Sequence, residues 1–292
     1  MTASTLSSIL VSGLLLGSIY ALMAGGLSLV WTTLGIFNFA HGAFMMLGAY
    51  AAWTIGSQEG LGLGPTLGIV AAAVLLAGLG CVVELLLLRP FYHRRDLVML
   101  TVITTLSGMI FLENSALLAW GPRIKQLQPL VAGTVSILGV AISAQEAVIL
   151  GVSPLLILGL WTWLRFSRMG RAIRAVGQNQ EAAQLLGMNV SALYMTAFGL
   201  SAVLAAIAGV LLGSIRFLSP GMGGEPLTKA LIVAIFGGLG SILGTVVGAY
   251  VIGILEASSD YVVGLYWAPA VLFAVMILTL MVRPSGLFGR RR

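Results

Sequence analysis

Four arginines at every third position, Arg165, Arg168, Arg171 and Arg174, lead into a polar island in a chain that is otherwise almost wholly apolar. The island reads Gly177-Gln178-Asn179-Gln180-Glu181-Ala182-Ala183-Gln184-Leu185-Leu186-Gly187. In a helix the spacing lays the guanidinium groups along one slowly turning stripe, and fixed positive charge between two long hydrophobic segments belongs on the cytoplasmic face of a membrane. The chemistry this offers is docking to a soluble partner. Little else in the chain offers catalysis. A phosphate-binding loop needs Gly-Lys-Ser/Thr so that backbone amides and a lysine hold the phosphates, but the only lysines, Lys125 and Lys229, follow Ile124 and Thr228. No Ser/His/Asp set, no paired carboxylates in one segment and no metal-ligand spacing is found. The expectation is a protein that neither hydrolyses ATP itself nor requires a cofactor or metal.

Composition sets the elements that must carry these residues. Of 292 residues, 59% are apolar and only 8% charged, where a soluble domain has roughly 25% charged. The fold class expected is therefore an all-α polytopic membrane protein. The net charge of +6 comes from short basic clusters and reports topology rather than nucleic acid. Cys81 is the single cysteine, so there is no internal disulfide.

About 20 apolar residues are needed to cross a hydrocarbon core of roughly 30 Å. Six stretches meet that length cleanly: 8–30, 66–88, 97–118, 145–164, 191–215 and 264–282. Two more, 35–55 and 228–256, are hydrophobic but interrupted, the first by Asn38 and His41-Gly42, the second by Gly237-Gly238-Leu239-Gly240-Ser241. Eight hydrophobic segments are expected, six of them full spans and two broken or re-entrant.

Basic residues orient them. Arg89, His93, Arg94 and Arg95 mark one inner loop, Arg165 to Arg174 a second, and Arg283, Arg290, Arg291 and Arg292 an inner C-terminus. Parity then requires 228–256 to begin and end on the same outer side, as a hairpin broken at its glycines. The same treatment of 35–55 places the N-terminus inside. Both interrupted stretches carry Gly-Ala-Tyr, at Gly48-Ala49-Tyr50 and Gly248-Ala249-Tyr250. Discontinuous segments in matching halves point to a transport site, because unwound backbone at membrane depth survives only against a cavity or inside protein. Ordinary kinked helices packed by small residues are the alternative.

Single polar residues are weighed likewise. His41 either lines the pathway or satisfies a carbonyl freed at the break, and the second role is favoured slightly. Glu84, near Arg89, reads as an interfacial ion pair; Glu113 is a costly charge that either functions or reaches the outer interface; Glu256 and Asp260 are placed at the outer boundary. Gly240, Gly244 and Gly248 make small-xxx-small steps for close helix packing.

Three motifs carry a family resemblance. Asn38-Phe39-Ala40-His41-Gly42 with Met46-Leu47-Gly48-Ala49-Tyr50, Arg171-Ala172 through Glu181-Ala182-Ala183 to Leu186-Gly187-Met188-Asn189, and Lys229-Ala230 with Phe236-Gly237-Gly238-Leu239-Gly240-Ser241 together resemble the permease subunits of branched-chain amino-acid ABC transporters. The match runs in order over nearly the whole chain; Glu113 departs from it, since Gln is expected before Asn114. The resemblance implies one transmembrane permease domain over 1–292, with a cytoplasmic coupling segment at 165–189. It implies import of branched-chain amino acids across a bacterial inner membrane. The implied partners are a periplasmic binding protein, two ATP-binding-cassette subunits and a second, related permease. Asn38, His41, Gly42, Gly237, Gly238, Gly240 and Ser241 would then belong to the pathway. Arg174, Gln178, Glu181, Ala182, Ala183 and Gly187 would belong to the coupling element, where Ala182, Ala183, Leu185 and Leu186 present a small apolar surface to a groove. A urea or short-amide importer and an ion-coupled secondary transporter are the alternatives.

Overall fold

The structure is a computed structural model that describes residues 3–289, apart from His93, Arg95 and Leu138. His93, Arg95 and Arg290 to Arg292, read above as topology markers, lie outside the described residues. The expected all-α membrane architecture is found. Among the described residues, six helices have the length and apolarity of a membrane span: Ser4–Leu34, Pro65–Phe91, Leu97–Trp120, Ala144–Phe166, Val190–Gly213 and Ile242–Val262.

In chain order the helices are α1 (Ala3–Leu34), α2 (His41–Gly56), α3 (Pro65–Val83), α4 (Leu97–Trp120), α5 (Ala144–Phe166), α6 (Arg168–Gln178), α7 (Gln180–Leu185), α8 (Val190–Gly213), α9 (Gly224–Gly237), α10 (Ile242–Val262) and α11 (Ala268–Val282). A π turn, Glu84–Leu88, and a 3-10 turn, Arg89–Phe91, prolong α3. Before α5 an antiparallel hairpin pairs β1 (Thr134–Ile137) with β2 (Val140–Ser143). The Ser143 hydroxyl then accepts from the Glu146 amide while the Glu146 carboxylate accepts from the Ser143 amide, a capping box that starts α5. Within the spans, hydroxyls back-bond to the preceding turn, as Ser18 does to Leu14 O and Thr33 to Leu29 O. No polar group is then left facing hydrocarbon at those positions.

Close approaches fix the direction of each helix. Gly13 packs on Ile254 and Gly17 on Tyr250, so α1 and α10 are antiparallel. Met45 meets Gly209 and Ala49 meets Gly213, so α2 runs parallel to α8. Gly80 and Cys81 meet residues 195–202, so α3 runs against α8. One end of the bundle gathers the end of α1, the turn between α9 and α10, the coupling segment and residues 286–289: Thr32 Oγ1 donates to Gly240 O, Gly177 packs on Thr32 O, and the Leu287 and Phe288 amides donate to Phe236 O and Gly237 O. Arg89, Arg94, Arg165 to Arg174 and Arg283 lie at this end, which is the inner one by the positive-inside rule.

Two expectations change. Stretch 35–55 does not turn back on itself. Irregular residues 35–40 return from the inner end to the level of Ser201, midway along α8, and α2 completes the crossing outward. The first segment therefore starts outside, and the first turn of α1 lies opposite the arginines rather than beside them. Stretch 228–256 is a hairpin with its break at the glycines, as parity required. However, α10 is a full span, whereas 264–282 contributes only the 15-residue α11.

The descending arm of that hairpin is itself only half helix: 214–223 leads irregularly from the outer end of α8 to the start of α9, whose 14 residues reach about 21 Å. Thus α1, 35–40, α2, α3 and α4 are matched, in opposite direction, by α8, 214–223, α9, α10 and α11. The counterpart of α2 is α9, so the shared Gly-Ala-Tyr, which falls on α2 and α10, marks no structural repeat.

Candidate functional site

The two half-helices meet head to head. A Cβ on Gly42 would lie 2.8 Å from Gly223 O and 3.2 Å from Leu227 Cβ, and one on Gly223 would overlap the Gly42 carbonyl. Only glycine at both positions lets the two backbones touch. Of the residues assigned to the pathway from the first break, His41 is fully buried and has both ring nitrogens engaged, Nε2 with Met23 O at 3.0 Å and Nδ1 with Ser201 Oγ at 3.2 Å. It holds α1, α2 and α8 together. Asn38 is buried with neither amide atom hydrogen-bonded, an arrangement that costs about 1–3 kcal/mol per group. The neighbouring Phe39 amide donates to Thr105 Oγ1 of α4.

The glycine-rich segment sits elsewhere than expected. Gly238 and Gly240 have φ of +104° and +86° and form the inner turn, and Ser241 is the N-cap of α10, accepting from the Gly244 amide at 3.1 Å. Gly237 packs against Gly244, and Gly238 against Gly289. These residues close the inner end of the bundle rather than lining its middle. Gly244 and Gly248 pack on α9, but Gly240 precedes the helix and takes no part in a helical stripe.

Segment 165–189, expected above to couple to a partner, holds the end of α5 and the helices α6 and α7. Ser167 breaks α5 from α6, so Arg165 stands on a different helix from Arg168, Arg171 and Arg174. Arg171 Nη1 donates to Phe166 O and Arg174 Nη2 to Arg165 O, placing positive charge on the carbonyl end of α5. Asn179 caps α7 through its Oδ1 and the Ala182 amide, and Gly187, with φ of +78°, ends it. Gln178, Glu181, Ala182, Leu185 and Leu186 are exposed, Leu185 to 89%. Ala183 is not part of that surface: it is 3% exposed and packs into the protein's own core. Helical spacing puts residues 182 and 183 about 100° apart, which separates the two faces.

The structure also corrects the carboxylates. Glu84 pairs with Tyr92, whose hydroxyl donates to Oε1 at 2.6 Å, rather than with Arg89. Burial, then that hydrogen bond, raises the Tyr92 phenol above its ordinary range. Glu256 is not at a wet boundary: it is 3% exposed and accepts from Lys229 Nζ, which also donates to Glu225 Oε1 at 2.5 Å. Glu256 Oε2 has no partner. The sequence carried a signal for this pair, because a lysine inside an apolar half-helix demands a buried counter-charge. The separation of 27 positions between the partners is bridged only once the hairpin is known. Among the described residues there is no cluster of three or more His, Cys, Asp or Glu fit to hold a metal.

Long helices in opposed repeats, with half-helices meeting at mid-depth, define a multi-pass membrane protein of the transporter type. The model of the family "Branched-chain amino acid transport system / permease component" matches residues 9–280, and the chain belongs to that family. It is 36% identical over 291 residues to the high-affinity branched-chain amino acid transport system permease protein LivH of Escherichia coli K12, covering 96% of this chain and 94% of the relative. It is 35% identical over 293 residues to BraD of Pseudomonas aeruginosa, covering 96% and 95%. It is 28% identical over 297 residues to a probable LivH of Methanocaldococcus jannaschii, covering 96% and 92%. No solved structure matches. The chain is a permease subunit of an ABC importer.

Proposed function

We propose that the chain carries branched-chain amino acids inward across a bacterial inner membrane, taking them from a periplasmic binding protein. It works beside a second, related permease, with two ATPase subunits turning over ATP. The observation that supports this reading best is the exposed apolar edge of α7: Leu185 and Leu186 project from a capped cytoplasmic helix that is seated on the core through Ala183, the shape of a plug for a groove. The six coupling residues divide accordingly. Glu181, Ala182 and Gln178 face the ATPase, Arg174 and Gly187 shape the segment, and Ala183 anchors it.

Reconstitution tests the reading. Proteoliposomes holding this chain with its second permease and ATPases should take up leucine when the loaded binding protein and ATP are supplied, while the chain alone should not hydrolyse ATP. Hydrolysis by the isolated chain, or no leucine uptake by the complete assembly, would overturn it.

A further inference from the structure

The proposed function leaves open where on this chain the substrate is recognised. We propose that Arg216 and Glu225 form a binding site for the zwitterionic head of an amino acid, at the mouth of the α9 half-helix. This inference rests on the reading above and assigns its substrate to particular side chains.

The pair is built unlike a structural ion pair. Arg216 follows the outer end of α8, Glu225 opens α9, and their nearest atoms, Nη1 and Oε2, are 4.0 Å apart with side chains 49% and 61% exposed. That separation is beyond hydrogen-bond reach. No other partner is found for the Arg216 guanidinium among the described residues. A charge-assisted bond is strong only at about 2.7–2.9 Å, so both groups are left with capacity to spare. An α-ammonium and an α-carboxylate on one carbon supply the two missing complements at once, the carboxylate to Arg216 and the ammonium to Glu225. The exchange keeps the charge balanced, which matters for groups that stand between the middle and the outer end of the bundle.

Behind the pair lies an arrangement that such a ligand would alter. Glu225 Oε1 holds Lys229, and Lys229 also holds Glu256, whose Oε2 is buried and unpartnered. When a substrate ammonium takes Glu225, Lys229 can move wholly onto Glu256 and satisfy that oxygen. Apolar side chains adjoin the pair, one next to Arg216 in the chain and one reaching Gly224 from α4. Phe217 is exposed, and Met109 Cε approaches Gly224, where a Cβ would come within 3.8 Å of it. Methionine adapts to varied apolar shapes. An uncharged amide such as urea offers neither ion and gains nothing from the pair, so the site separates the two substrate classes.

The test uses the assembled transporter in proteoliposomes, leucine-loaded binding protein outside and ATP inside. Arg216→Gln and Glu225→Gln should each lower leucine uptake by about tenfold or more, the loss of one charge-assisted contact. Arg216→Lys, which keeps the charge, should retain most of it. Arg216→Gln leaves the Glu225–Lys229 pair in place, so its assembly with the ATPases should be unchanged by co-purification, and its loss is then not one of folding. Wild-type uptake in both glutamine variants, or equal loss in Arg216→Lys and Arg216→Gln, overturns the site while an active wild type upholds the importer. A wild-type assembly that moves no leucine overturns both.

Discussion

Gly42 and Gly223 lie backbone against backbone, each occupying the space a side chain on the other would need. Because α2 leaves this point outward and α9 inward, the contact is the meeting of two half-crossings. Any residue larger than glycine must push the half-helices apart. Overpacking of this kind costs about 1–3 kcal/mol. Gly42→Val and Gly223→Val should therefore lower the thermal midpoint of the detergent-purified protein and reduce uptake. Gly151→Val, at a helical glycine with open space around it, should leave both unchanged.

The buried Lys229–Glu256 pair predicts a different pattern. Removing Lys229 strands the Glu256 charge in the core, a loss of about 3–5 kcal/mol, whereas removing Glu256 leaves Lys229 on Glu225. Lys229→Met should sharply reduce the yield of folded protein in size-exclusion profiles, and Glu256→Met should reduce it less. The double substitution should recover most of it, since two apolar side chains replace two ions. Equal loss in the single and double variants would mean that the pair is held for another reason.

At the coupling segment the two faces of α7 should separate by substitution. Ala183→Trp puts a large side chain into the core and should lower the amount of stable protein in the membrane. Leu185→Asp with Leu186→Asp should leave that amount unchanged while reducing ATPase retention on co-purification. A reduction of tenfold corresponds to about 1.4 kcal/mol. Full retention would remove α7 from the docking surface.

Topology is checked by labelling in a Cys81→Ala background. Cysteines at Ser4 and Glu59 should react with a membrane-impermeant thiol reagent added outside, and one at Gln178 only after permeabilisation. Protection of position 4 together with labelling at 59 would restore an N-terminus on the inner side.

Most of the fold was legible because its signals are local. Apolar length, the positions of arginine and the run Gly237 to Ser241 gave the long spans, the inner loops and the turn of the hairpin. The errors arose where length misled or where partners are remote. Residues 35–40 are too few to register as a crossing, and they join α1 to α2 without forming a helix that apolar length could reveal. Residues 214–223 fall outside any apolar run and hid the second broken crossing. Ala182 and Ala183 look alike in sequence and face opposite ways, because only packing against the core distinguishes them. Lys229 found its counter-charge on another helix, and no spacing rule connects residues across a turn whose geometry is unknown.

The amides of Leu287 and Phe288 bond the last carbonyls of α9, and these residues follow α11 in the chain. During synthesis the turn between α9 and α10 thus emerges well before the segment that covers it, and its open carbonyls wait for a strip of backbone still to be made. A tag or cleavage placed between Arg283 and Gly289 would leave that turn uncovered on an otherwise inserted protein, a form that membrane proteases or assembly factors can tell from the finished subunit.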